Sequence, residues 1–442
     1  MAITNDFTTI IFGILNFLGR VVSAVWWFVL PIVLFIIFWN LRIIYLRTKF
    51  VNGFSWTMFE VKVPKEILKT PKAMEQIFAS LYSIYSGLSS LDKYWDGKVQ
   101  RWISFEMVGY GGGVYFYIGT PFTDSFNYRN LIESAIYAQY PDAEIKEVED
   151  YTELLSSELP NDVYDIWGTD FVLARENFLP IKTYLHFEES VEERRLDPVA
   201  AVIETMSNLK EGEIIWLQFL ISPLGGDAAD AWRKEGEAKI AEMAGRKAAT
   251  KKGGTMSTLW DWAKNFFRAP VEHPTWPSDI KGETSPTIKF LSPDEQDMVK
   301  EISGKIAKLS FETVIRFIYI DRRDSFSPLN IAAVKGSFFQ FNTHNLNAFK
   351  FGGAVVHYDS ILARIVPRYK EMWLFYKKRK IFDAYKKRKF GKYNHTREEK
   401  FPILNIEELA TIYHFPAIMV EAPSLRRLES KKGEPPAGLP VE

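Results

Sequence analysis

The densest set of chemistry-bearing side chains lies in Pro367–Lys392 (PRYKEMWLFYKKRKIFDAYKKRKFGK). There Lys377, Lys378, Arg379 and Lys380 recur in kind as Lys386, Lys387, Arg388 and Lys389, with Ile381, Phe382 and Tyr385 between them. On a helix a nine-residue offset is roughly 13 Å, which suits contact with successive phosphates of nucleic acid or of anionic lipid. The competing reading is a solvated helix paired with acidic neighbours. A chain with 55 Lys and Arg against 55 Asp and Glu could supply them. That zero net charge excludes a general polyanion binder, so any DNA contact must come from local clustering.

Little else is set up for catalysis. The run Gly109-Tyr110-Gly111-Gly112-Gly113 stands between two strand-like runs, Trp102–Val108 and Val114–Ile118. A phosphate cradle would lead from a strand into a helix and end in Lys-Ser/Thr, so this run reads as a hairpin turn. No G-x-x-x-x-G-K-[ST] sequence occurs. His186, His273, His344, His357, His395 and His414 are dispersed, and there is no cysteine. A disulfide framework and a thiolate metal site are excluded, in agreement with a reducing compartment. The expectation is a protein with no catalytic residues, metal or cofactor, and not an enzyme.

The stretch that positions everything else is Val21–Leu41 (VVSAVWWFVLPIVLFIIFWNL), uncharged throughout. As a helix it is roughly 31 Å long, about the thickness of a bilayer's hydrocarbon core. Trp26, Trp27 and Trp39 add aromatic weight, and Trp39 suits the interface. Arg42, Arg47 and Lys49 follow the span, whereas only Asp6 and Arg20 are charged before it. Basic residues are retained on the cytoplasmic side, so the expectation is a single-pass inner-membrane protein with its bulk cytoplasmic. Phe7–Leu18 is too short to span comfortably; it lies in the interface, packs on a neighbour or extends the helix.

Beyond the anchor (1–50) the periodicity restarts twice. Residues 51–160 read β-α-β-β-α-β: Ser55–Val63, a helix opened by Thr70-Pro71, the two runs flanking the glycines, a helix near Tyr128–Gln139, and Glu144–Val148. That order is the ferredoxin-like split βαβ. Residues 161–360 repeat it with strands at Phe171–Arg175, Ile181–Phe187, Glu213–Ser222 and Phe311–Asp321, and helices opened by Asp197-Pro198, Ser292-Pro293 and Ser327-Pro328. A mobile, polar insertion (about 224–286) splits this unit; within it Leu259–Phe267 is a short aromatic amphipath that packs in cis or touches a membrane or partner. The predicted fold class is therefore α+β, a transmembrane helix followed by two ferredoxin-like units. A basic aromatic helix (361–400) and a short helix with a Pro-rich tail (401–442) complete the chain. In Asn405–Pro416 (NIEELATIYHFP), Asn405 and Glu408 have the spacing of a capping box, Leu409, Ile412 and Tyr413 form an apolar face, and His414 reads as structural.

Three stretches carry a resemblance: Asp321–Lys350, Asn405–Pro416 and Gly433–Pro440 (GEPPAGLP). They resemble the region upstream of the P-loop motor in bacterial type IV secretion and conjugation ATPases of the TraG/HerA-like class. The EELA-x-x-x-HFP segment is the most specific piece. The resemblance implies a membrane-anchored, non-catalytic component that tethers a separate hexameric ATPase, contacts DNA and forms a homo-oligomer. The departure is that the sequence ends at Glu442, where that family's motor would begin. Two rival readings are a membrane scaffold whose basic helix grips anionic lipid, and an enzyme with an unrecognised site.

Overall fold

Helix α1 (Ala2–Asn52) carries the apolar run without a break at Pro31. Its side chains from Trp26 to Phe38 face outward, with Trp27 65% and Phe35 62% exposed, although they are the most apolar in the chain. Among the described residues this is one helix long and apolar enough to cross a membrane. The computed structural model describes residues 2–64, 69–123, 126–155, 158–187, 197–245, 291–352, 367–391 and 401–416. The amphipath Leu259–Phe267 lies outside them.

The end of α1 is built into the body. Phe50, Val51 and Phe54 pack around Trp102 and Phe390, with the Phe54 and Trp102 rings 5.8 Å apart. The next residues open β1 (Ser55–Lys62), followed by α2 (Lys72–Leu81), a short α3 (Ser90–Tyr94), β2 (Ile103–Tyr110), β3 (Gly113–Phe122), α4 (Arg129–Gln139) and β4 (Glu144–Val148). The β2–β3 hairpin turns at Gly111 and Gly112, whose φ values of 55° and 72° explain the glycines there. The second half runs β5 (Tyr164–Leu173), α5 (Ala200–Ser207), β6 (Ile214–Pro223), α6 (Gly226–Met243), α7 (Pro293–Ala307), β7 (Ser310–Arg322), α8 (Pro328–Phe339) and β8 (Phe349–Gly352). Then come α9 (Pro367–Lys386), β9 (Ile403–Asn405) and α10 (Ile406–Ile412).

Among the described residues nine strands form one antiparallel sheet in the order β4-β1-β3-β2-β6-β7-β5-β8, with β9 added to the start of β7. In each half the last strand is the outer edge and the first lies beside it. The halves meet through β2 and β6, from Ile103 opposite Ile221 to Tyr110 opposite Ile214. One face is covered by α2, α4, α5, α8 and α10 over a continuous apolar core that includes Phe78, Phe105, Ile203, Phe317 and Phe338. The other face carries α9, through Trp216, Phe382 and Tyr385.

Several local expectations change. The first strand of the second half is Tyr164–Leu173, not Phe171–Arg175. Ile181–Phe187 is no strand: it contains a 3-10 turn, Tyr184–His186. Its backbone is satisfied by side chains instead of a ladder, with the Ile181 and Tyr184 amides donating to Glu408 Oε1 and Thr411 Oγ1 at 2.9 Å each. Within the insertion, the described part forms helix α6. Trp232 of α6 buries against Ile302 and Ile306 of α7. Ser292 and Ser327 cap their helices, and Ser292 forms a full capping box with Glu295. Asp197 instead accepts the Val199 amide in a turn, and the helix starts at Ala200.

Candidate functional site

The site to be tested is α9 and the basic turn that ends it. Ile381, Phe382 and Tyr385, three and four residues apart, share one helical stripe, and that stripe lies on the sheet. Phe382 and Tyr385 stack on Trp216, with centroids 6.1 Å and 4.9 Å away. This packing leaves Arg379, Lys380 and Lys387 of the flanking cations exposed and Lys377, Lys378, Lys386 and Lys389 half-buried, and many of them meet carboxylates. Lys378 pairs with Asp165 at 2.6 Å, Arg379 with Glu158 at 3.4 Å and Lys386 with Glu153 at 3.7 Å. Lys387 and Lys389 share Asp383, at 2.7 Å and 2.5 Å. Lys377 lies over the Trp373 ring, and burial followed by repulsion from Lys380 lowers its pKa.

Arg388 must be removed from the phosphate-contact set. It sits at φ 47° just past α9 and is only 1% exposed. Its Nε and Nη2 donate to Glu106 at 3.0 Å and 3.3 Å, and its Nη1 and Nη2 to Asp150 at 2.6 Å and 3.1 Å. Burial works against its charge, but Glu106 and Asp150 outweigh burial and hold the guanidinium above its ordinary pKa. Asp150 is likewise held below the usual range by Arg388, against the opposing effect of burial. A side chain this enclosed has no donor left for an external phosphate.

The pair belongs to a polar rung that crosses the join between the halves. Glu106, Gln218, Arg316 and Asp170 are direct partners on β2, β6, β7 and β5. Gln218 donates to Glu106 at 2.9 Å and accepts from Arg316 at 2.9 Å, and Arg316 Nε donates to Asp170 at 3.1 Å. Ser104 and Tyr151 also donate to Glu106, and the Tyr151 and Tyr385 hydroxyls are 2.7 Å apart. Arg316 donates to the Ala384 and Lys389 carbonyls, which ties the end of α9 to the sheet. Every polar group in the rung has a partner, which is the arrangement of a structural clamp. Sequence reasoning passed over it. The available signal was a lone Glu, Gln or Arg inside otherwise apolar strands (WISFEMV, IIWLQFLIS, VIRFIYI).

Beside the clamp lies a cleft of about 720 Å³ between the end of α1 (Thr48, Val51, Asn52) and Lys380, Lys386, Lys387 and Lys389. Of the anchor residues, Trp26 and Trp27 are exposed, and the Arg42 guanidinium lies 5.2 Å from the centre of the Trp39 ring. Arg47 is half buried with its Nε shielded from solvent. In Asn405–Pro416 the capping box forms, and Glu408 also accepts from Lys305 at 3.1 Å. His414 bonds the Ala410 carbonyl and Asp197, at 2.8 Å and 2.9 Å, and is enclosed. Among the described residues no group of three or more His, Asp or Glu is placed to hold a metal ion.

Fold and site together define an α+β protein with one long apolar helix fused to a clamped antiparallel sheet. The chain belongs to the family described as a domain of unknown function, DUF8128, whose model matches residues 55–424. The match starts at the first residue of β1. No curated protein matches the chain.

Proposed function

We propose that this chain is a membrane-anchored, non-catalytic component of a type IV secretion-like machine. In this reading α1 lies in the inner membrane and the body in the cytoplasm. The two halves of the sheet are ferredoxin-like units, and the body assembles with copies of itself and seats a separate hexameric ATPase. The observation that carries the reading is α1: an outward-facing apolar helix whose end is packed into the body through Phe50 and Phe54. Such a joint transmits position from membrane to body. Arg42, Arg47 and Lys49 on the body side support the orientation. The strand order in each half supports the ferredoxin-like assignment. The EELA–HFP segment supports the secretion role by resemblance.

The test is purification of the full chain from membranes in detergent. The expected result is an ATPase without its own membrane anchor enriched over a control preparation. Full-length protein recovered from the soluble fraction would overturn the reading.

A second reading is favoured by the cleft, because it places the end of the basic helix next to the end of the anchor. There the cations meet anionic lipid rather than DNA. The full chain in neutral nanodiscs, titrated with DNA and with anionic vesicles over a salt series, separates the two. Neutralising Lys377, Lys380, Lys386 and Lys387, with Arg388 left intact, is expected to lower the salt slope by about one for each of these lysines that meets a phosphate. If the slope for both ligands is unchanged, α9 is not the binding surface.

A further inference from the structure

Leu91, Tyr94 and Trp95 are 74%, 51% and 60% exposed, side by side on α3 and the residue after it. Their position is set by α1. The Arg42 guanidinium lies 5.2 Å from the Trp39 ring and 4.7 Å from the Trp95 ring. Arg42 also donates to the Tyr94 and Trp95 carbonyls at 3.3 Å and 3.5 Å. The Trp95 ring is thus within about two helical turns of Trp39, which lies inside the apolar run.

The attachment is close and stiff. At Gly97 (φ 69°) a Cβ would meet Leu46 Cβ at 2.5 Å and the Arg47 amide nitrogen at 2.9 Å, so the turn lies flush against α1. Ser89 and Asp92 form a capping box, and Lys98 bonds Asp92 at 2.7 Å. The apolar side chains therefore cannot fold back into a core without breaking this turn.

We propose that the Leu91–Trp95 turn is a second membrane contact, seated in the headgroup and acyl boundary of the bilayer that α1 crosses. The proposal rests on α1 being in a bilayer and goes beyond it. Trp and Tyr rings favour that boundary, and a guanidinium between two indoles lies at the level of lipid phosphates. Attachment at two points stops the body from swivelling about α1 and gives it one fixed face toward the membrane.

The chain has no cysteine, so a single introduced cysteine carries a spin label at one address. The full chain is reconstituted in phosphatidylcholine–phosphatidylglycerol vesicles as Leu91→Cys, Ile36→Cys and Leu329→Cys. Ile36 is in the apolar run, and Leu329 is 77% exposed beyond the end of β7 far from Trp102. Collisions of each label with oxygen, which partitions into lipid, are compared with those of a water-soluble nickel chelate. The expected result is deep lipid at position 36, shallow lipid at 91 and water at 329, with an oxygen-to-nickel ratio several-fold higher at 91 than at 329. Adding Gly97→Ala is expected to push the turn off α1 and lower the ratio at 91 alone.

A label at 91 that matches 329 while 36 stays in lipid overturns the second contact and leaves the anchor standing. A label at 91 shielded from both reagents means that protein covers the turn, which also overturns it. Water at position 36 removes the anchor and the proposal together.

Discussion

Arg388→Met is expected to destabilise the body by about 3–5 kcal/mol, because it leaves the Glu106 carboxyl enclosed without its cationic partner. Glu106 is fully buried and Asp150 half-buried, and Arg388 gives each of them two hydrogen bonds. Ser104, Gln218 and Tyr151 still donate to Glu106 in the variant, but neutral donors do not replace a fork with a full charge. Arg388→Lys restores charge without the planar fork and is expected to recover only part of the loss. Arg388→Met combined with Glu106→Gln is expected to be milder than Arg388→Met alone. The measurement is denaturant unfolding in detergent by near-ultraviolet dichroism, which reads the Trp216–Tyr385 stack. Limited trypsin digestion is its companion, since docking of α9 shields part of a Lys- and Arg-rich stretch. An unfolding midpoint equal to that of the wild type would show that the clamp contributes nothing.

Lys305→Met is expected to cost a comparable amount, about 3–5 kcal/mol at neutral pH. Lys305 on α7 and Glu408 on α10 are both enclosed, 3.1 Å apart, and Lys305 also donates to the Leu179 carbonyl. Burial pushes Glu408 up and Lys305 down, each opposed by the other. Without Lys305 the Glu408 carboxyl sits still further above its unfolded value. The folded variant then binds more protons than the unfolded chain, so its stability rises as pH falls below neutral and the deficit shrinks. Lys305→Met with Glu408→Gln keeps one acceptor oxygen, for either the Ile181 or the Asn405 amide, and is expected to recover part of the loss at every pH. A deficit that does not change with pH would show that Glu408 is not the group left stranded.

These two pairs tie the basic helix and the EELA–HFP segment to the rest of the body. Each contributes one charged residue to an enclosed pair whose partner lies more than a hundred positions away in the chain. Arg388 reaches back to Glu106, and Glu408 to Lys305. A cluster of eight cations looks uniform in sequence, yet the fold divides it into one enclosed clamp residue, several surface ion pairs, and Lys377 and Lys380.

What could be determined from the sequence alone was local. The apolar run, the helix start at Ser292-Pro293, the capping box at Asn405, the glycine hairpin and the β-α-β-β-α-β order depend on neighbours within a few residues, and local pattern reports those directly. The strand Ile181–Phe187 failed for the opposite reason, since its amide partners are on α10. Tertiary structure alone decided that the halves join through β2 and β6, that Glu106, Gln218, Arg316 and Asp170 line up as one rung, and that the Leu91–Trp95 turn lies against α1. Those depend on strand register and on the packing of distant parts of the chain, which side-chain pattern constrains only by face and not by partner.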